Sequence, residues 1–134
     1  MPEARSPEPA ATPSSAALWL PVALYMAFIF GLSSLTRTPA MPGGSDKVLH
    51  ALNYAGLGLL VARAVSRGGR TVSGWVVLVT MVIGTLYGVS DEFHQSFNPP
   101  RQSDAADVLA DSIGSGLGAA ALYAWGIIRA RNGL

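Results

Sequence analysis

The chain has 134 residues, of which 50% are hydrophobic and 13% are charged, a balance outside that of ordinary soluble domains. Nine Lys and Arg against eight Asp and Glu leave a net charge of +1, so no broad positive field is available to attract nucleic acid. Because Cys is absent, disulfides, thiolate nucleophiles and Cys-ligated zinc are excluded, whereas His and carboxylate chemistry is not.

The first fifteen residues, MPEARSPEPAATPSS, are rich in Pro, Ala and Ser and show no apolar periodicity. This composition predicts a disordered tail over 1–15. A secretory signal peptide is the competing interpretation, but it would begin with a more basic segment and end at a small-residue cleavage site. Residues 16–35 are instead long enough to cross a membrane, which favours a retained first helix.

Four stretches approach the roughly twenty residues that cross a hydrocarbon core: 16–35, 48–65, 75–93 and 105–128. In lipid their backbone groups can be satisfied only as helices. The connections, TRTPAMPGGSD, SRGGRTVSG and SFNPPRQSD, are short and contain Gly or Pro, so consecutive helices must run antiparallel. We therefore predict an all-α membrane protein, with four transmembrane helices in an up-and-down bundle over residues 16–130.

Basic residues indicate the orientation of this bundle. With a cytoplasmic N-terminus, the cytoplasmic side holds six basic residues: Arg5, Arg63, Arg67, Arg70, Arg129 and Arg131. The opposite side then holds three: Arg37, Lys47 and Arg101. By the positive-inside rule both termini are expected to be cytoplasmic, and the first and third connections face outward.

Small residues recur at helical spacing in the last two segments. Gly84 with Gly88, and Gly114 with Gly118, form pairs of small residues separated by three positions. Such pairs permit close contact between helix backbones, and we interpret them as packing sites.

Polar residues concentrate at the helix ends that share the predicted outer face. In the second segment Asp46, His50 and Asn53 lie within about 60° of one another, at 100° per residue, with Lys47 and Tyr54 beside them. The third segment carries a stripe spaced by four residues, flanked by Glu92 and His94: Tyr87, Asp91 and Gln95. The fourth carries a stripe of carboxylates continued by Ser115: Asp104, Asp107 and Asp111.

The depth of these carboxylates points to function. Asp111 follows Asp104 by seven residues and lies about 10 Å deeper at 1.5 Å per residue. An ionisable residue near a helix centre costs about 2.5 to 3.5 kcal/mol on insertion scales. Such residues are tolerated where they face one another or a wet cavity. Three stripes at one level therefore predict a site at the outer membrane face.

Structural roles compete for some of these residues. Asp104 immediately precedes the fourth helix and suits an N-cap, with Asp107 in the first turn complementing the helix dipole. Asp107 and Asp111 could also form ion pairs with Arg101 or Lys47.

The segments SDKVLHALNYAGLG, LYGVSDEFHQSFNPPR and DVLADSIGSGLG occur in this order. Together they resemble the VanZ-like family of small bacterial membrane proteins, over about residues 18–124. The matching positions are Asp46, Lys47, His50, Tyr54, Asp91, Glu92, Gln95, Arg101, Asp107 and Gly114. Where this family usually has Asn, the present chain has Asp111. The resemblance implies a protein of the bacterial cytoplasmic membrane and an association with glycopeptide (teicoplanin) resistance, without a general reaction.

The cluster predicts an acid-base site that acts on a lipid or cell-envelope component at the outer leaflet. We expect four catalytic residues: His50, Asp91, Glu92 and Asp107. His50 would transfer the proton, and Asp91 or Asp107 would orient it or act as base. The expected ligand-binding residues are Asp46, Lys47, Tyr54, Gln95, Arg101 and Asp111. Lys47 and Arg101 would hold a phosphate or carboxylate. No spacing specifies a metal site, and no cofactor is assigned.

The same cluster is compatible with a non-catalytic membrane module. It would then bind an amphiphilic ligand, such as a glycopeptide or lipid headgroup, or a membrane partner. A proton-coupled transporter is less compatible, because four short helices leave little room for alternating access and no internal repeat is present.

Overall fold

The computed structural model describes residues 11–35, 45–69, 71–97 and 104–133. Within these ranges the chain forms helices and no strand: α1 (Ser15–Ser33), α2 (Ser45–Val65), α3 (Gly74–Gln95) and α4 (Ala105–Arg131). The all-helical prediction is confirmed for these residues, and each helix boundary lies within three residues of the expected one. Residues 1–10 of the predicted tail lie outside the described residues.

Two helices begin at side-chain caps. The Ser14 hydroxyl accepts a hydrogen bond from the Ala17 backbone N–H at 3.2 Å, and Asp104 Oδ1 accepts from the Ala106 N–H at 2.9 Å. These bonds satisfy backbone donors that the first turn of a helix otherwise leaves unpaired. The predicted capping role of Asp104 is therefore confirmed.

The turn after α2 reverses the chain through left-handed backbone conformations. Arg67, Gly68 and Gly69 have φ angles of 52°, 97° and 81°, a region in which glycine carries little steric penalty. The Gly68 N–H donates to the Arg63 carbonyl at 2.7 Å, which closes the last turn of the helix. The two glycines of the SRGGRT segment thus end α2 as a helix-terminating signal.

Three helices, α1, α2 and α3, are long and apolar enough to cross a membrane. The fourth has 27 residues but includes two aspartates and several Gly and Ser residues, which lower its mean hydropathy. Large apolar side chains point away from the bundle, as in α1, where Leu20, Leu24 and Phe28 are 59%, 62% and 54% exposed. Such a surface suits lipid rather than water, and the chain is a multi-pass membrane protein.

Contacts between helix ends give the order of the bundle. Lys47 at the start of α2 contacts Asp107 at the start of α4, and Ser34 after α1 contacts His94 at the end of α3. At the other end, the turn after α2 packs against Leu122 in the second half of α4. Glu92 near the end of α3 contacts Asp104 at the start of α4, so the ends of α1 and α3 lie beside the starts of α2 and α4. Successive helices therefore run antiparallel. The end that holds Lys47, Asp107, Ser34 and His94 is called the polar end below.

The closest helix packing joins α2 to α4 through small residues. Gly114 and Gly118 of α4 face the carbonyl oxygens of Ala51 and Ala55 on α2, and Gly58 of α2 faces the backbone of α4. A Cβ atom at any of the three glycines would collide with that backbone. The two helices can approach this closely only because no side chain separates them.

Glycines also join α3 to α4, and here they accommodate side chains. Gly84 lies against Ser115 and Gly88 lies against the Asp111 carboxylate, so α4 side chains fill the space that a Cβ would occupy. Both predicted glycine pairs are thus confirmed as packing sites. The first helix is peripheral: it packs mainly on α2, and within the described residues it makes no contact with α4.

The packing predicts unequal effects for two glycines of the same helix. Gly118→Leu should lower the free energy of unfolding by about 1 to 3 kcal/mol or more, because the new side chain meets the α2 backbone. Gly126→Leu is the matched control, since a Cβ at Gly126 has no neighbour within 4 Å. Thermal unfolding in detergent measures both, and equal stability of the two variants would contradict the packing described.

Candidate functional site

The three predicted polar stripes meet at the polar end. The first three turns of α2, the last turns of α3 and the first two turns of α4 supply the side chains. Six of these are buried: Tyr54, Asp91, Glu92, Gln95, Asp107 and Asp111. Gly88 of α3 has no side chain and so leaves room for the Asp111 carboxylate of α4.

Lys47 lies among carboxylates. Its Nζ is 2.7 Å from Asp104 Oδ2, 2.6 Å from Asp107 Oδ1 and 3.7 Å from Asp46 Oδ2. The hydrogen bond from Lys47, followed by that from the Ala106 N–H, lowers the pKa of the Asp104 carboxyl below its ordinary value. The expectation that Lys47 binds an anionic ligand stays a prediction. In this structure its ammonium binds carboxylates and joins the starts of α2 and α4.

His50 is held between two carboxylates of α4. Its Nδ1 lies 3.0 Å from Asp111 Oδ1, and its Nε2 lies 3.8 Å from Asp107 Oδ2. Asp111 is fully buried, whereas His50 keeps 19% of its side chain exposed. A carboxylate beside Nδ1 favours a proton on that nitrogen and leaves Nε2 able to accept or donate one. The carboxylate nearest to His50 is thus Asp111, rather than Asp91 or Asp107.

Asp91 and Glu92 occupy the end of α3. Asp91 Oδ2 accepts a hydrogen bond from Gln95 Nε2 at 2.9 Å, as the spacing of four residues allows. Glu92 Oε2 accepts from the Asp104 backbone N–H at 2.7 Å. Glu92 therefore links the end of α3 to the start of α4, a contact that sequence spacing did not predict.

Several buried polar atoms at the site have no hydrogen-bond partner within the described residues. At the level of His50 they are Tyr54 Oη, Asp91 Oδ1, Glu92 Oε1 and Asp111 Oδ2. Thr80 Oγ1 and Ser115 Oγ, elsewhere in the buried core, share this property. A buried polar group without a hydrogen-bond partner costs about 1 to 3 kcal/mol. A ligand that formed hydrogen bonds with these atoms would therefore gain binding free energy at this site.

The remaining predicted residues lie at the rim or beyond it. Asp46 is half-exposed, and its carboxylate touches Lys47 only at 3.7 Å. Asn53, a member of the predicted α2 stripe, makes no hydrogen bond to the described residues, and the adjacent Tyr54 is the buried one. Arg101 lies outside the described residues, so its predicted role stays a prediction. Among the described residues no group of three His, Asp or Glu side chains is arranged to hold a metal ion.

A second polar contact at this end fixes α1. The Ser34 hydroxyl lies 3.0 Å from His94 Nε2, and the His94 ring stacks on Phe30 with a centroid distance of 4.3 Å. Tyr87 of α3 donates to the Met26 carbonyl of α1 at 2.5 Å. His94 and Tyr87 thus hold α1 against α3. The sequence did not predict the contact between Ser34 and His94, because a single Ser after an apolar segment does not indicate a partner.

A cavity of about 210 Å³ lies at the opposite end of the bundle. Its described lining is apolar or neutral: Gly69, Thr71, Val72, Tyr123, Gly126, Ile127 and Ala130. With a single tyrosine as its only titratable side chain, this lining offers no acid-base pair. The chemistry-bearing residues are therefore those of the polar end.

Comparison with families of known proteins gives a match. Residues 10–128 match the model of the VanZ/LLP1 family, a range that includes all four helices apart from the last residues of α4. No curated protein and no solved structure matches the chain.

The contact between His50 and Asp111 predicts a measurable coupling. A double-mutant cycle with His50→Ala and Asp111→Asn should give a coupling free energy of about 0.5 to 3 kcal/mol in detergent unfolding. The matched cycle pairs His50→Ala with Ser112→Ala, because the neighbouring Ser112 hydroxyl bonds Thr85 instead. Coupling of the same size in both cycles would show that the His50 contact is not specific.

Proposed function

The chain belongs to the VanZ/LLP1 family, and we propose that it modifies a lipid or cell-envelope component through an acid-base site at the outer membrane face. The observation that carries this proposal is the position of His50, with Nδ1 against buried Asp111 and Nε2 toward Asp107. A histidine oriented by a carboxylate is a common arrangement for proton transfer, which contributes about 10²- to 10⁴-fold to rates.

In this proposal His50 exchanges a proton with the reacting group through Nε2. Asp111 holds the ring and stabilises its charged form, and Asp107 lies where it can orient the reacting group. Lys47 keeps Asp104 and Asp107 in place through two short ion pairs. Asp91 and Glu92 complete the acidic wall contributed by α3 and contact the ligand.

We further propose that all four helices span the bacterial cytoplasmic membrane as one domain over 16–130, with both termini cytoplasmic. At 1.5 Å per residue α4 is about 40 Å long, enough to cross a core of about 30 Å. Its two aspartates face α2 and α3 rather than lipid. Four arginines lie toward the end opposite the polar end: Arg63, Arg67, Arg129 and Arg131. By the positive-inside rule that end is cytoplasmic, and the polar end faces outward.

Single cysteines test this orientation, because the chain has none of its own. Ser96→Cys at the polar end should react with a membrane-impermeant thiol reagent applied to intact cells. Thr71→Cys at the opposite end, also exposed, should react only after the cells are permeabilised. Labelling of Thr71→Cys alone in intact cells would reverse the proposed topology.

Catalysis is tested by mass spectrometry of lipid extracts from cells with and without the protein. We expect at least one headgroup or precursor to change with the wild-type chain, and the change to fall about 100-fold or more in His50→Ala. Ser112→Ala is the control, and immunoblotting confirms equal amounts of both variants in the membrane. An unchanged lipid profile on expression of the wild type would reject the catalytic proposal.

A non-catalytic module is the second candidate, favoured by the unpartnered buried atoms of Tyr54, Asp91, Glu92 and Asp111. The polar end would then recognise a lipid headgroup, a lipid-linked precursor, a glycopeptide or a membrane partner without changing it. A role in glycopeptide resistance would follow from binding alone. Recovery of a bound ligand in unaltered form, with no product in the extracts, would favour this candidate.

A further inference from the structure

Carboxylates outnumber cations at the polar end. The described residues place six acidic side chains there: Asp46, Asp91, Glu92, Asp104, Asp107 and Asp111. The cationic groups among them are Lys47 and, when protonated, His50. Both already contact carboxylates of α4. The described part of the site therefore has more negative than positive charge, and neither cation is free for an anionic ligand.

The buried atoms without partners have the same character. Three of them are carboxylate oxygens, on Asp91, Glu92 and Asp111, and each of these residues is no more than 6% exposed. The Asp111 carboxylate lies against Gly88 of α3. Asp91 and Glu92 follow Gly88 by three and four residues on the same face of that helix, so the three carboxylates lie near one another. Ionised carboxylates only accept hydrogen bonds. Among the described residues these carboxylates have few donors, the unpaired Tyr54 hydroxyl being one of them, and no cation other than Lys47 and His50.

Lys47 shows which group satisfies such carboxylates. Its ammonium forms two contacts of 2.6 and 2.7 Å, distances typical of charge-assisted hydrogen bonds. A phosphate or carboxylate placed among these buried carboxylates would be repelled, because like charges at close range disfavour one another, so only the cationic part of a ligand can enter there. A ligand ammonium would supply both the charge and the N–H donors.

The surroundings of the site suit a ligand with acyl chains. Large apolar side chains beside the carboxylates point outward on all three helices, among them Val48 at 59%, Phe93 at 68% and Leu109 at 61% exposed. On α4, Leu109 lies between Asp107 and Asp111 in sequence and points away from them. A lipid could therefore keep its chains against this surface while its headgroup entered between the helices.

Resting on the proposed function, we propose that the polar end binds a phospholipid with a primary ammonium headgroup. The ammonium donates to the unpaired carboxylate oxygens nearest to it, on Asp91, Glu92 or Asp111, and the lipid phosphate stays outside these carboxylates. The Tyr54 hydroxyl, buried and without a hydrogen-bond partner among the described residues, borders this position. The inference names the class of ligand, whether the chain transforms the lipid or only holds it.

Native mass spectrometry of the full chain in detergent tests the ligand class with three synthetic lipids of identical acyl chains. Phosphatidylethanolamine should bind about tenfold more tightly than phosphatidylcholine, which keeps the positive charge but has no N–H donor. Its affinity should also exceed that of phosphatidylglycerol, which has hydroxyls and a net negative charge, by a similar or larger factor. Equal affinities, or a preference for phosphatidylglycerol, would overturn the inference.

Two variants test the residues, each with a neighbour as its control. Asp91→Asn and Glu92→Gln should reduce the preference for phosphatidylethanolamine over phosphatidylcholine severalfold, whereas Ser90→Ala and Ser96→Ala should keep it. The ratio of the two lipids is measured within one folded population, so a lower yield of protein does not affect it. An unchanged ratio in both acidic variants would remove these residues from the site.

A competition experiment with a soluble amine distinguishes binding of the lipid from binding of a free amine. Ethanolamine without acyl chains should compete with phosphatidylethanolamine only at far higher concentration, and competition at equal concentration would overturn the lipid assignment. Failure of the proposed function gives a different result: phosphatidylethanolamine binds selectively, yet no altered lipid appears in cell extracts. If the altered lipid lacks an ammonium group and binds more tightly, the inference fails while the catalytic function stands.

Discussion

The close approach of α2 and α4 is the constraint on which the rest of the structure depends. Within a membrane the hydrophobic effect gives little reason for apolar helices to associate, so packing and interhelical hydrogen bonds must hold them together. Gly58, Gly114 and Gly118 remove the side chains that would separate the two backbones. This contact brings Lys47 and His50 within reach of the aspartates of α4. Without it, those carboxylates would lack cations to stabilise them.

The polar residues therefore have two roles in one place. Lys47 joins the starts of α2 and α4, and Glu92 joins the end of α3 to the start of α4. These bonds order the polar end of the bundle. The same ordering fixes the His50 ring against Asp111 and leaves carboxylate oxygens unpaired in the interior. The structure of the site and the stability of the bundle thus depend on the same ion pairs.

The fourth helix carries two buried aspartates among small residues. Its aspartates and small residues face α2 and α3 instead of lipid. The first helix is the opposite case, apolar throughout and attached mainly by van der Waals packing on α2. Among the described residues, polar contacts from His94 to Ser34 and from Tyr87 to Met26 attach it to α3. The bundle thus combines a tightly packed core of α2, α3 and α4 with α1 at the periphery.

The sequence by itself determined the helices, the glycine packing pairs and the polar stripes, and it identified Asp104 as a cap. All of these follow from spacing within one segment, which helical periodicity converts directly into a shared face. Only the tertiary structure decided that Asp111 is the carboxylate nearest His50, and that Lys47 is held by Asp104 and Asp107. Those pairings depend on how far each helix is rotated and shifted against its neighbours. Differences of a few ångströms in helix position decide which partner a side chain contacts. Residue spacing along a single helix does not determine these differences.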